Sequence, residues 1–299
     1  MRYRRLGRTG LVVSEVSFGA HMDEVNVKDE KRRAEQVTAG LEHGINLFDI
    51  YDHSGYKQWA PMSRLLQPIR DKVVISLCTV WDADKVLDEV DYALKVFRTG
   101  YIDLYRFVLG KNREENEGRL YALLKAKEEG KVKAVGAAVH VPSETLAALR
   151  KHGEELDFLM APVAYCFRRA VREKSLIARE VRDHGVGIVA MKPLWSHTDD
   201  RGAGSHMFHL SAPAVQLAGI EGGKLAIGRL ALQAVLESDL VSTVMPTMNS
   251  VEEVLEDVKA SAAGPLTEDE RRQLNPYWEE LRRQGKGFLK PHEWLWNWR

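Results

Sequence analysis

Short apolar runs alternate along the chain with longer stretches whose apolar residues recur at helical spacing. The nearly continuous apolar runs at 16–20, 47–50, 73–78, 103–108, 134–139, 158–165, 187–192 and 242–246 predict parallel strands covered on both faces. Between them, helical periodicity covers 29–43, 83–98, 114–129, 143–152, 171–184, 224–237 and 251–261. The stretch 58–67 predicts a weaker helix, because Pro61 is tolerated only in a first turn. Pro142 and Ser143 offer a helix start, and Gly44, Gly130 and Gly185 stand where helices should stop.

Eight such repeats in strict alternation predict an α/β chain folded as a single (β/α)8 TIM barrel over 1–299. A doubly wound open sheet is the rival. It usually carries a glycine-rich turn after its first strand, whereas here that strand ends Phe18-Gly19-Ala20-His21. Ahead of the barrel, Gly7-Arg8-Thr9-Gly10 between two short apolar segments predicts a hairpin at its bottom. Two segments exceed what a barrel needs. One is a long loop over the mouth at about 195–223. The other is a helix headed by Thr267, followed by a tail with Trp294, Trp296 and Trp298.

Charge narrows the choice of partner. Lys and Arg total 43 and Asp and Glu total 43, so a polyanion such as nucleic acid has no basic surface excess to recruit it. Cys78 and Cys166 are the two cysteines, with no paired spacing, which excludes a disulfide framework, a structural zinc finger and a cysteine-held iron–sulfur cluster. No apolar stretch is long enough for a leader or a membrane span, so the reading is a soluble, cytoplasmic protein with a small-molecule substrate. Oligomeric state is left open.

The segments Tyr3-Arg4-Arg5-Leu6-Gly7-Arg8-Thr9-Gly10, Gly44-Ile45-Asn46-Leu47-Phe48-Asp49 and Gly100-Tyr101-Ile102-Asp103-Leu104-Tyr105 resemble the aldo-keto reductase family. So do Gly130-Lys131-Val132-Lys133-Ala134-Val135-Gly136 and Val244-Met245-Pro246. Ala190-Met191-Lys192-Pro193-Leu194 is similar to a bacterial branch that often carries a C-terminal cysteine cluster, which this chain lacks. The resemblance implies hydride transfer from a nicotinamide cofactor to a carbonyl, with an Asp, Tyr, Lys and His at successive strand ends. In that scheme a Tyr hydroxyl protonates the developing alkoxide, a Lys–Asp pair lowers its pKa, and the His orients the carbonyl.

Matched position by position, Asp49 fits the Asp, but Ser54, Cys78 and Val108 stand where Tyr, Lys and His are expected. The cofactor positions are changed too. Gly136-Ala137-Ala138-Val139 offers no side-chain hydrogen bond to a nicotinamide, and Pro162 precedes Tyr165 where a Gln is usual. Thr247 to Val258 holds no Lys or Arg for a 2′-phosphate. NADP or NAD is therefore expected to bind weakly, with Tyr165, Lys192, Asn249 and Ser250 as the candidate contacts.

The candidate catalytic set is Asp49, with Tyr56, His53, Cys78 and Lys192 as helpers. Each also has a plain structural reading. Tyr56 can pack on Trp59, His53 can be a solvated loop residue, and Cys78 can be an inert buried thiol. Lys192 ends a strand, where a buried amine becomes a nucleophile, an anion holder or simply pocket lining. Ser54, Trp81, Val108 and His140 are expected to line the mouth. His206 and His209 have no partner at fixed spacing, so no metal site is assigned. Three functions fit these residues: an oxidoreductase with a non-standard site, a lyase, isomerase or dehydratase in the inherited pocket, and a non-catalytic sensor on a dead barrel.

Overall fold

The structure is a computed structural model and describes residues 1–20, 29–51, 56–140, 142–165, 171, 173–194 and 219–284. Two short antiparallel strands, β1 (Tyr3–Arg5) and β2 (Val12–Ser14), form the predicted hairpin. Eight parallel strands follow: β3 (Phe18–Ala20), β4 (Leu47–Ile50), β5 (Val74–Thr79), β6 (Ile102–Val108), β7 (Val132–Ala138), β8 (Phe158–Pro162), β9 (Gly187–Met191) and β10 (Val241–Met245). Their order in the sheet is their order in the chain. Bridges Val16–Val244 and Gly19–Thr247, with Ser17 N–H donating to Val244 O at 2.9 Å, join the first strand to the last. A barrel, not an open sheet, results.

The helices are α1 (Glu30–Glu42), α2 (Trp59–Leu66), α3 (Val86–Phe97), α4 (Arg113–Glu128), α5 (Pro142–His152), α6 (Leu176–His184), α7 (Gly223–Leu236), α8 (Val251–Ala263) and α9 (Glu268–Gln284). Pro61 falls in the first turn of α2, where its missing N–H costs nothing. Asp29, Asn112, Ser175 and Ser250 cap α1, α4, α6 and α8 by accepting a first-turn amide. The expected helix at 171–184 starts later, at Leu176, because Ser175 takes the cap. Likewise β8 stops at Pro162, whose ring cannot donate to the ladder. At α9, Thr267 and Glu270 cap reciprocally, each side chain accepting the other's amide at 3.2 and 2.9 Å.

Side chains inside the barrel follow the two-residue period. Leu47 and Asp49, then Val74, Ser76 and Cys78, then Leu104, Arg106 and Val108 point to the axis, while Ile75, Leu77, Tyr105 and Phe107 face the helices. Leu6 and Val13 from the hairpin plug the bottom. Above them Phe158 fills the centre because Gly136 has no Cβ; an added one would lie 2.5 Å from the ring. The core is therefore filled below and opens above, toward the strand C-termini. The segment 195–218 and residues 285–299, including the predicted loop and the tail tryptophans, lie outside the described residues. No helix among those described is long and apolar enough to cross a membrane.

Candidate active site

At the C-terminal mouth a pocket of about 620 Å3, part of it open to solvent, is lined by Asp49, Tyr51, Cys78, Arg106, Val108 and Ala138 on one side. His140, Met160, Met191, Lys192, Met245 and Thr247 line the other. Its walls are mostly apolar, and its polar groups fall into two sets.

The first set is built on Asp49. Its carboxylate is buried and needs a donor. Lys192 and Tyr56, named as helpers from the sequence, bond elsewhere, and the donor is Arg106. Arg106, two residues before the expected His position and inward by strand parity, binds both carboxylate oxygens, Nη1 to Oδ1 and Nη2 to Oδ2 at 3.0 Å. Ser76 Oγ donates to Oδ1 at 2.7 Å, and Arg106 Nη1 also donates to the Leu77 carbonyl at 3.3 Å. The planar fork suits a carboxylate in a way an ammonium does not. Asp49 raises the Arg106 pKa against the opposing effect of burial, so the guanidinium is charged. Arg106 thus supplies the cation that Cys78 cannot. The Tyr51 ring, on the strand end two residues after Asp49, lies 5.9 Å from the Arg106 guanidinium carbon.

The second set is Lys192 and His140, with Lys192 Nζ 2.9 Å from His140 Nδ1. Val189 and Met191 already face the axis, so strand alternation would send Lys192 to the helices. A left-handed backbone at Lys192, φ 55°, breaks that alternation, and the side chain lines the pocket. Burial pushes the Lys192 amine down to about 7. Burial first, and then the charges of Lys192 and Arg106, hold His140 well below the usual imidazole range.

Cys78 lines the pocket as well, but burial pushes its thiol up to about 12, the pull of Arg106 notwithstanding, so it is a thiol and not a thiolate. Val108 and His140 line the pocket as expected; Trp81 does not. It sits outside, 40% exposed, its indole N–H donating to Tyr56. Tyr56 packs on Trp59 with ring centroids 4.3 Å apart and is absent from the pocket lining, so it does not fill the vacant Tyr position. His53 and Ser54 lie outside the described residues, as do Cys166, His206 and His209. Among the described residues no group of three His, Cys, Asp or Glu is placed to hold a metal.

A second cleft, lined in part by Leu194, Lys224, Glu253 and Asp257, shares Thr247 with the central pocket. The two cavities thus border the same residue, with the second beside the first turns of α8. That helix end is closed by its own side chains. Ser250 accepts the Glu253 amide at 3.2 Å, and Glu253 accepts the Asn249 amide at 2.8 Å. The absence of Lys and Arg between Thr247 and Val258 is corrected in part by tertiary structure. Arg32 of α1 reaches the Asn249 carbonyl at 3.1 Å. Arg32 and its neighbour Lys31 share that surface with Asp29, Glu35 and Glu252, so the local charge is not positive. Tyr165 is buried edge-on under Trp278 of α9, centroids 5.1 Å apart, rather than presented to the pocket.

The family model for the aldo/keto reductase family matches residues 16–279. The chain belongs to that family. L-galactose dehydrogenase of Arabidopsis thaliana is 26% identical over 283 residues, which cover 86% of this chain and 87% of that protein. The uncharacterized oxidoreductase YqkF of Bacillus subtilis is 23% identical, covering 93% and 96% of the two chains. Among solved structures, the aldo-keto reductase AKR11C1 of Bacillus halodurans superposes with a TM-score of 0.68 at 23% identity, again over 93% and 96%. The barrel fold and the aldo-keto reductase lineage are thereby shown.

Proposed function

We propose that the protein interconverts a carbonyl and an alcohol on a small, largely apolar molecule in the cytoplasm, with Tyr51 as proton donor and the Arg106–Asp49 pair as its electrostatic support. The observation that carries this reading is the meeting of Tyr51, Arg106 and Asp49 in one pocket at the strand C-termini, where barrel enzymes hold their chemistry. A guanidinium keeps its proton at any working pH, so Arg106 cannot be the acid. Tyr51 can. Its hydroxyl donates to the oxygen that becomes the alcohol, and the guanidinium beside its ring favours the tyrosinate left behind. The Tyr51 ring is half-buried and its hydroxyl oxygen is shielded from solvent, which keeps the acid inside the apolar pocket.

A nicotinamide, when bound, supplies or accepts the hydride. The residues present fit such a cofactor in its unphosphorylated form. In the second cleft Lys224 is paired with Glu253 at 2.8 Å and would exchange that carboxylate for a cofactor's diphosphate. The carboxylates Glu252, Glu253 and Glu256 oppose a further phosphate. Asp257 is already held well above the usual carboxylate range by burial and by Glu253 and Glu256.

The test is to titrate NADH and NADPH by tryptophan quenching and to follow their oxidation with small aliphatic and aromatic aldehydes. NADH binding at least as well as NADPH, with turnover lost in Tyr51→Phe, supports the reading. A tenfold preference for NADPH, about 1.4 kcal/mol, overturns the cofactor assignment. Undiminished turnover in Tyr51→Phe overturns the acid.

A further inference from the structure

The reduction just described uses Tyr51, Arg106 and Asp49 and leaves the opposite wall of the pocket without a task. That wall carries a primary amine. Lys192 is 5% exposed, stands at the C-terminal end of β9 and reaches the pocket only because its backbone takes a left-handed conformation. Among the described non-glycine residues three have positive φ: Tyr56, Arg98 and Lys192. Arg98 is explained as the residue that terminates α3. Lys192 terminates no helix, and its strain is spent on turning an amine into an apolar cavity.

We propose that Lys192 Nζ is a nucleophile that condenses with the carbonyl of a small aldehyde or ketone to form an imine, with His140 as the proton carrier. This goes beyond the redox reading and assigns the pocket a second activity, amine catalysis on carbonyl compounds.

Three features support it. An amine attacks only in its neutral form, and a cavity walled by Met160, Met191, Met245, Val108 and Ala138 disfavours the ammonium. The amine's value of about 7 leaves a large neutral fraction at neutral pH. A proton acceptor stands 2.9 Å away in His140 Nδ1, whose imidazole is neutral in the same range. The other charged groups facing this wall, Arg106 and Asp49, are committed to each other across the pocket.

The step balances without an outside reagent. The Nζ lone pair forms the C–N bond while the carbonyl π pair moves to oxygen. The proton lost by nitrogen passes through His140 to that oxygen. A second proton transfer by the same route lets the oxygen leave as water while the nitrogen pair closes the C=N bond. The imine, once protonated, withdraws electrons from the adjacent carbon, which makes an α-proton or an α-carbon bond labile.

The probe is 2,4-pentanedione, a small diketone whose adduct with an amine tautomerises to a stable, near-ultraviolet-absorbing enaminone. It is mixed with the full chain near pH 7 without nicotinamide, so that failure here says nothing about hydride transfer. The expected result is one saturable adduct, mapped to Lys192 by peptide mass analysis, forming at least about tenfold faster than on any surface lysine. Lys192→Arg should abolish it, and His140→Ala should slow it while leaving the adduct position unchanged. Adducts spread over exposed lysines, or no adduct at Lys192 in the folded wild-type protein, would overturn the proposal; this mapping does not depend on any variant folding.

Discussion

Arg106 on β6 reaches past β5 to Asp49 on β4 and grips both of its carboxylate oxygens, with Nη2 3.0 Å from Oδ2 and both side chains within a few per cent of full burial. The pair is the polar layer on which the pocket floor rests. Ser76, opposite Asp49 in the strand register, adds a third donor. Two desolvated charges in a barrel interior are tolerable only as a matched set.

Removing one partner should therefore be costly. Asp49→Asn leaves the guanidinium buried without its counter-charge and is expected to lower unfolding stability by about 3 kcal/mol or more. Asp49→Leu combined with Arg106→Met should recover most of that loss, since it removes both desolvation costs together. Urea unfolding of the two variants decides the matter. A double variant no better than Asp49→Asn would mean that the pair organises the barrel rather than merely balancing charge.

The same relationship sets what a lysine at 78 can do. Cys78 is paired with Arg106 in the β5–β6 register. Cys78→Lys alone places two cations on one carboxylate and should destabilise the protein by about 2 kcal/mol. With Arg106→Met in the background, the new ammonium has Asp49 to itself, so a double-mutant cycle should show favourable coupling above about 1 kcal/mol. Additive effects would show that a side chain at 78 does not reach Asp49.

The strands were legible because both of their faces are buried, which turns each into an apolar run. Most of their ends moved by one or two residues, and the largest displacement is at Pro162, which stops β8 three residues before the expected end. Asp49 was legible from its motif. Arg106 was not, because inside an apolar run a single cation reads as a strand's solvent edge; strand parity with Leu104 and Val108 was the signal that could have placed it inward. Tyr51 was missed although it shares the inward parity of Asp49, because it lies one residue past the end of β4. Arg32 shows the other limit. A cation 217 positions from Asn249 in sequence is invisible to any window along the chain.

Glu89 on α3 gives a prediction away from the pocket. Burial pushes its carboxyl up to about 7, against the lowering effect of the neighbouring Thr79, Tyr105 and Tyr56 hydroxyls. The folded state therefore holds a proton that the unfolded chain releases near its ordinary value of 4.5. Stability is fully present below the lower value and is lost as pH rises through the upper one. Glu89→Gln, a permanent mimic of the protonated form, should leave the melting temperature unchanged near pH 4 and raise it near pH 8. A gain of equal size at both would contradict the assignment.

Lys192 has the opposite sign. Its ordinary value of 10.5 falls to about 7 in the fold because burial penalises the ammonium. Between those values the unfolded chain binds the extra proton, so this group makes stability rise with pH across that window. Below pH 7 the ammonium is present in both states and the fold bears its whole desolvation cost. Above 10.5 the amine is neutral in both and the cost is gone. His140 adds no step there, being held well below its usual range, and Cys78 titrates near 12. Lys192→Met, of similar length and without charge, should thus stabilise the protein most near pH 6, with the advantage over wild type shrinking steadily toward pH 10. The difference between the two unfolding curves, taken at each pH, isolates this group from the other groups titrating over the same range. A constant difference would place the Lys192 proton in water rather than in the pocket, and with it would go the neutral amine on which imine formation depends.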